Sequence, residues 1–360
     1  MFKKLAYLIF ILALSGCFLP YGDENVQPKA HVVKITRPDY AKGFELQLMS
    51  DSSYRIVFLD LEHAGDTLQI ILWKKKNIER VACLSTTHIP FLAALGRTDI
   101  IKGTGFADLV INQDLKQRID RGEIINITSG HELDAEMVYK IEPELMFVYP
   151  YGGAGYEKYL DAGIGCVQIS EYLEDTPLGR AEWIKVFGAL LNCSEKADSI
   201  FKDITTKYMA LQNLASNSTS RPTVFTGSYD AGNWFMPPGN SFVSRLISDA
   251  GGAYLYQDSI AQGNLIVPFE SLYMKAYQAD FWGKILYQKG ELTEAKLTED
   301  DQRMGNIHSF QTRQVFYCNA AETDYHGQAI IEPQVLLADL IKVLHPELLP
   351  EYQSVYFKKW

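Results

Sequence analysis

Between residues 79 and 169 short apolar runs alternate with segments of helical period, and this alternation constrains the fold more than any other feature of the chain. Strands are expected near 79–84, 98–102, 145–149 and 164–169, and helices near 88–96, 112–121, 134–141 and 155–163. Repeated strand and helix order demands a parallel sheet covered on both faces, because each crossover lays a helix over the sheet. From Pro177 to Asn217 the strand signals stop. EWIKVFGALL and EKADSIFKDITTKYMALQNLA keep helical periodicity, and the part from about Ser194 to Ala215 would span roughly 30 Å at 1.5 Å per residue. A polar break, SNSTSRP, then leads into PTVFTG, where the alternation begins again.

Ahead of the first lobe, GFELQLM, YRIVFLDLE and TLQIILW alternate apolar with polar side chains and are broken by SDSS and HAGD, the pattern of antiparallel strands joined by turns. The expected fold is α/β: two Rossmann-like lobes with parallel sheets joined by one long rigid helix, plus a small antiparallel β segment near the N-terminus. The segments are 1–17, 18–77, 78–176, a connecting helical stretch 177–217, and 218–360.

Residues 1–17, MFKKLAYLIFILALSGC, combine a short basic region, an apolar run from Leu5 to Leu14 and small residues before Cys17. That is the anatomy of a secretory signal, too short to serve as a membrane span. LSGC also resembles the bacterial lipobox, so Cys17 is expected to become the acylated first residue of an exported protein, with FLPYGDENVQP as a spacer. The four remaining cysteines, Cys83, Cys166, Cys193 and Cys318, are widely spaced in apolar surroundings and form no CxxC, which suits free buried thiols better than disulfides or zinc. Sequons at Asn126, Asn192 and Asn217 carry no weight in such a protein. A formal charge of −10 argues against nucleic acid and against a polybasic membrane patch.

In an open parallel sheet, ligands bind beyond the carboxyl ends of the strands. The loops expected there are STTH, where Ser85, Thr86 or Thr87 caps a helix with His88 in its first turn, then GTGF, TSGHELD, YPYGGAG, TGSYDAGNWFMPPGN and AAETDYHGQ. They supply His88, Phe106, Tyr149, Tyr151, Trp234, Phe235, Asn240, Tyr325 and His326 as candidate ligand-binding residues, a set suited to a flat or conjugated ligand held by stacking and a few hydrogen bonds. Each of these aromatics also suits ordinary packing, and His88 suits an exposed place on a capped helix. Enzymatic signals are poor: no GxSxG elbow, HExxH or GxxxxGK occurs. His131, Glu132, Asp134 and Glu136 read better as a helix start, where carboxylates favour the positive dipole end, than as a catalytic cluster.

Three segments carry a resemblance: HELDAEMVYKIEPELMFVYPYG; GNSFVSRLISDAGGAYLYQD followed by VPFESLYMKAYQADFW; and TPLGRAEWIKVFGALL with LADLIKVLHPELL near the C-terminus. Together they resemble class III periplasmic binding proteins of ABC importers over about residues 78–350. The resemblance implies a solute receptor for a ferric siderophore, haem or cobalamin, with no cofactor of its own and with lobes that close little because the joining helix resists bending. It implies ABC permease transmembrane subunits as partners, with Glu136 and Glu270 as the docking pair on the two lobes. The chain departs from the family in its antiparallel segment, in Pro143–Glu144 where Pro and Asp are usual, in Glu332–Pro333–Gln334, and in AETDYHGQA, which lacks an expected aromatic and acidic pair.

The expectation is a monomeric binding lipoprotein on the periplasmic face of a bacterial membrane, not an enzyme. A cell-envelope hydrolase using cleft carboxylates on a glycan or ester, and an adhesin with an empty cleft, are the competing readings. His88 or His326 would be placed to reach a metal's axial position. The shortage of arginine in the loops favours hydroxamate, haem or cobalamin over a strongly anionic catecholate.

Overall fold

The computed structural model describes residues 30–63, 65–130, 132–150, 155–290 and 292–360. The lipobox at Cys17, His131 and Tyr151 lie outside the described residues. Four strands come first: β1 (Val32–Thr36), β2 (Phe44–Met49), β3 (Tyr54–Leu59) and β4 (Thr67–Trp73) form an antiparallel meander in that order. Strand alternation points Phe44, Leu46, Ile56, Phe58 and Trp73 to one buried face. That face packs on the connecting segment, where Trp183 lies 5.2 Å from Phe44 and 6.0 Å from Phe58 between ring centroids. The sequence pattern had signalled three of these strands; the exposed β1 joins them by pairing with β2.

Two buried glutamates fasten this sheet. Glu182 accepts the backbone N–H groups of Asp39 (3.0 Å), Tyr40 (2.8 Å) and Ala41 (2.9 Å), while Glu174 accepts those of Lys42 and Gly43 and the indole N–H of Trp183. Consecutive amides of the β1–β2 loop thus find acceptors that no strand supplies. Gln69 completes the attachment, donating to Cys166 O at 2.7 Å and accepting from Gln168 N at 3.0 Å.

The first lobe continues with β5 (Val81–Cys83), α1 (Ile89–Leu95), β6 (Ile101–Thr104), α2 (Gln113–Asp120), β7 (Ile125–Asn126), a hairpin of β8 (Thr128–Ser129) and β9 (Glu132–Leu133), α3 (Ala135–Ile141), β10 (Leu145–Val148), α4 (Glu157–Asp161) and β11 (Gly165–Gln168). Its parallel sheet runs β11-β10-β5-β6-β7. All four residues of β10 are buried, as expected for a strand covered on both faces.

The chain leaves this lobe through α5 (Pro177–Glu182), α6 (Ile184–Leu190) and α7 (Ser194–Ser216), whose 23 residues make it about 34 Å long. Helix α7 packs on α6 and α1 at the first lobe and on α8 (Phe242–Asp249) and α12 (Pro333–Leu344) at the second. Buried Asp249 on α8 accepts from Tyr208 and Gln212 of α7, both at 2.7 Å, which fixes the helix to the second lobe.

That lobe comprises β12 (Thr223–Thr226), β13 (Ser228–Asp230), β14 (Asn233–Met236), α8, β15 (Ala253–Tyr254), β16 (Leu265–Pro268), α9 (Phe269–Ala276), β17 (Phe281–Leu286), α10 (Glu294–Leu297), α11 (His308–Gln311), β18 (Val315–Asn319), α12 and β19 (Lys358–Lys359). Its main sheet, β15-β12-β17-β18-β19, is parallel except for β19, and β13-β14-β16 form a separate antiparallel sheet. Cys83, Cys166 and Cys318 are buried and Cys193 is half-buried, all four as free thiols. Burial pushes Cys166 and Cys318 up to about 11, away from reactive thiolate.

Candidate functional site

The candidate residues follow the carboxyl ends of strands in both parallel sheets, and the structure divides them sharply. His88 is not on the cleft. Ser85 caps a 3-10 turn by accepting from Thr87 N at 3.2 Å, and that turn carries the imidazole inward, against Phe147 and Phe187. The ring is fully buried, its Nε2 has no partner, and burial pulls its pKa down to about 3. It neither stacks on a ligand nor reaches a metal in the cleft.

Trp234 is corrected too. The stretch 226–240, expected to be one cleft loop, folds as a hairpin turning at Ala231 and Gly232, with φ of 48° and 88°. Successive strand residues face opposite sides, so Trp234 enters the core against Tyr229 and Trp282 while Phe235 faces outward. Trp234 is 1% exposed.

Phe106 stands half-buried after β6 in a left-handed conformation (φ 51°). Tyr149 follows β10, its carbonyl accepting from Tyr156 at 2.9 Å. Asn240 is exposed and staples its loop to Ala261 through both amide atoms. His326 is exposed, edge-on to Tyr325 at 5.2 Å.

Phe235 and Tyr325 come together. With Phe242, Leu246, Phe316 and Phe357 they line a cavity of about 180 Å³ that opens at the carboxyl end of β12. Against Phe242, one of the lining rings, lies Arg180, a residue without a distinguishing sequence signal of its own. Its guanidinium donates to Glu174 O (3.2 Å) and Tyr172 O (2.8 Å) and sits 4.1 Å above the ring of Phe242. Arg180 therefore ties the connecting segment to the second lobe. Its only local signal, a basic residue within TPLGRAEW, is indistinguishable from a solvated helix position.

Glu171 stands within electrostatic reach of Arg180. It is fully buried, accepts from Thr87 Oγ1 at 2.5 Å through one oxygen, and leaves the other without a partner. Burial pushes its carboxyl up to about 7, against the opposing pull of Thr87 and the Arg180 charge. The folded state then holds a proton that the unfolded chain releases near its ordinary 4.5, so stability falls as pH rises from about 4.5 to about 7 and is level above. The loss approaches about 3 kcal/mol. Urea unfolding of Glu171→Gln should match the unmodified protein below about pH 4.5 and exceed it at pH 8; equal midpoints at pH 8 would show that folding does not raise the carboxyl's pKa.

The β3–β4 turn bounds the cleft from the side. Gln262 of the second lobe donates to Glu62 O at 3.0 Å, and a second cavity of about 320 Å³ lies between that turn and the ends of β10 and β11. Among the described residues no three His, Cys, Asp or Glu side chains are grouped to hold a metal ion.

The sequence profile described as periplasmic binding protein matches residues 81–320, two thirds of the chain. The protein belongs to the periplasmic binding protein family. An uncharacterized lipoprotein of Methanocaldococcus jannaschii is 25% identical over 312 residues, covering 83% of this chain and 72% of its own. Among solved structures, a periplasmic haem-binding protein from Pseudomonas aeruginosa superposes with a TM-score of 0.61 at 15% identity, covering 78% of this chain and all but 2% of its own, 98%. CeuE of Helicobacter pylori with Ni(II) bound gives 0.61 at 14% identity, covering 82% and 91%. These structures share the two-lobed fold.

In this binding protein the Pro143–Glu144 corner fastens the segment that leads into the first lobe's central strand. Glu144 accepts the N–H groups of Glu79 (2.7 Å) and Arg80 (3.1 Å) ahead of β5, bonds that hold its carboxyl below the ordinary range. Asp280 at the equivalent place in the second lobe accepts Thr223 N at 2.7 Å at the start of β12. Glu332 likewise ties the C-terminal tail, accepting from Tyr356 at 2.5 Å and Gln328 at 3.0 Å. Glu136 and Glu270 are both exposed in the first turns of α3 and α9. Glu270 is additionally paired with Arg303 at 3.1 Å. Among the described residues no helix is long and apolar enough to cross a membrane.

Proposed function

We propose that this chain is the substrate-binding lipoprotein of an ABC importer, capturing a metal chelate in the interlobe cleft and delivering it to the permease. The single observation that carries this reading is the meeting of Phe235, Phe242 and Tyr325 with Arg180 where the second lobe joins the connecting segment. Aromatic faces with a few polar groups, on a rigid two-lobed frame, suit a conjugated or chelated ligand. The solved relatives whose names mention haem or bound Ni(II) support the ligand class, a ferric siderophore, haem or cobalamin. The lipoprotein relative and LSGC support anchoring through Cys17 on the outer side of the cell membrane.

Glu136 and Glu270 are proposed as the permease contacts. Each carboxylate offers a bidentate partner to an arginine on a transmembrane subunit. The Glu270–Arg303 pair is solvent-exposed, and such pairs are weak enough to exchange for an intermolecular one. Reversing both charges, Glu136→Arg with Glu270→Arg, should leave chelate affinity unchanged while uptake and ligand-stimulated ATP hydrolysis in reconstituted vesicles fall at least tenfold. Normal uptake by the double variant would remove the docking assignment.

A further inference from the structure

The cavity behind Phe235 and Tyr325 is small for a whole ligand. Pockets that enclose a drug-sized molecule run to about 300–1,000 Å³. This one is about 180 Å³, close to the roughly 150 Å³ apolar cavity that, in another protein, admits benzene and excludes water. Most of its wall is apolar: beside the aromatics stand Val243, Leu246 and Leu340. Lys284, the one cation among its described lining residues, turns its ammonium away, to Leu297 O at 2.9 Å and Asp300 at 2.7 Å. The described lining contains no carboxylate.

The polar side chains of Thr226, Ser228, Asn264 and Tyr325 also line the cavity. Of these, Tyr325 packs its ring edge-on against Phe357 at 5.8 Å between centroids. A group that enters from the open side and fills the pocket gains dispersion contacts with its apolar walls.

Resting on the chelate-binding reading above, we propose that this cavity receives one uncharged, phenyl-sized arm of the ligand, an aryl ring or compact branched alkyl group. The metal and its donor atoms remain outside in the cleft, within reach of Tyr325. The site thereby selects chelates that carry such an arm over those that do not.

The test uses fluorobenzene as the probe, with ¹⁹F NMR on the full-length protein. Saturable binding is expected, displaced by a ferric chelate bearing an aryl arm and not by one with only linear polar arms. Val243→Phe and, independently, Leu340→Phe fill the cavity. In whichever variant melts within a few degrees of the unmodified protein, affinity for fluorobenzene and for the aryl-armed chelate should fall at least tenfold, with the arm-free chelate unaffected. Absence of saturable fluorobenzene binding, or equal displacement by both chelates, would overturn the proposal. Fluorobenzene binding in a protein that captures no chelate would support the apolar receptor while overturning the chelate reading, which separates the two failures.

Discussion

Trp234→Ala should cost the folded protein about 3–5 kcal/mol, the range for deleting a buried aromatic side chain. The indole is 1% exposed and packs edge-on to Tyr229 at 5.8 Å and Trp282 at 6.5 Å, so its removal leaves a void among rigid neighbours rather than an open cleft wall. For domains that are stable by about 5–15 kcal/mol, such a loss moves the urea midpoint far to the left. Phe235→Ala, one residue on and facing the cavity, should do the opposite: little change in the midpoint and about 2 kcal/mol or more of lost ligand affinity, roughly thirtyfold. If Trp234→Ala kept its midpoint and lost binding, the facing of β14 would be reversed.

Glu182→Ala is the second large effect. Three backbone N–H groups and Lys185, whose ammonium lies 2.7 Å away, converge on a carboxylate with no exposure. Removing one side of a buried charged cluster costs about 3–5 kcal/mol, because the groups left behind have lost both water and partner. The loss falls on the β1–β2 loop, so trypsin under native conditions should cut after Lys42 well before the unmodified protein is touched. Unchanged cleavage together with an unchanged urea midpoint would show that the N-terminal sheet is held by its apolar face alone.

Periodicity carried most of the architecture. The apolar runs that became β5, β10 and β11, and the long helical period that became α7, are local patterns, and local patterns survive in sequence. The site was legible only where its residues announce themselves by type. Phe235 and Tyr325 were visible as loop aromatics, yet the same reasoning admitted Trp234, because Ala231–Gly232 was not recognised as the turn that splits TGSYDAGNWFM into two alternating strands. His88 was misplaced because the 3-10 turn that carries it under Phe147 depends on β10, distant in sequence. Arg180 and Phe242 meet across 62 positions, and Glu174 and Glu182 look like surface acids until the β1–β2 loop is laid against them. Nothing local encodes those meetings.

The central claim is capture of a metal chelate in the interlobe cleft without chemical change. The direct measurement is a titration of the purified full-length protein with a ferric hydroxamate, haem and cobalamin, followed by absorption spectra and by chemical recovery of the ligand. The account predicts that at least one chelate gives a saturable one-to-one spectral change, is recovered unaltered, and binds about thirtyfold more weakly to Phe235→Ala. No spectral change with any of the three, or a chelate returned hydrolysed or stripped of its metal, would contradict it.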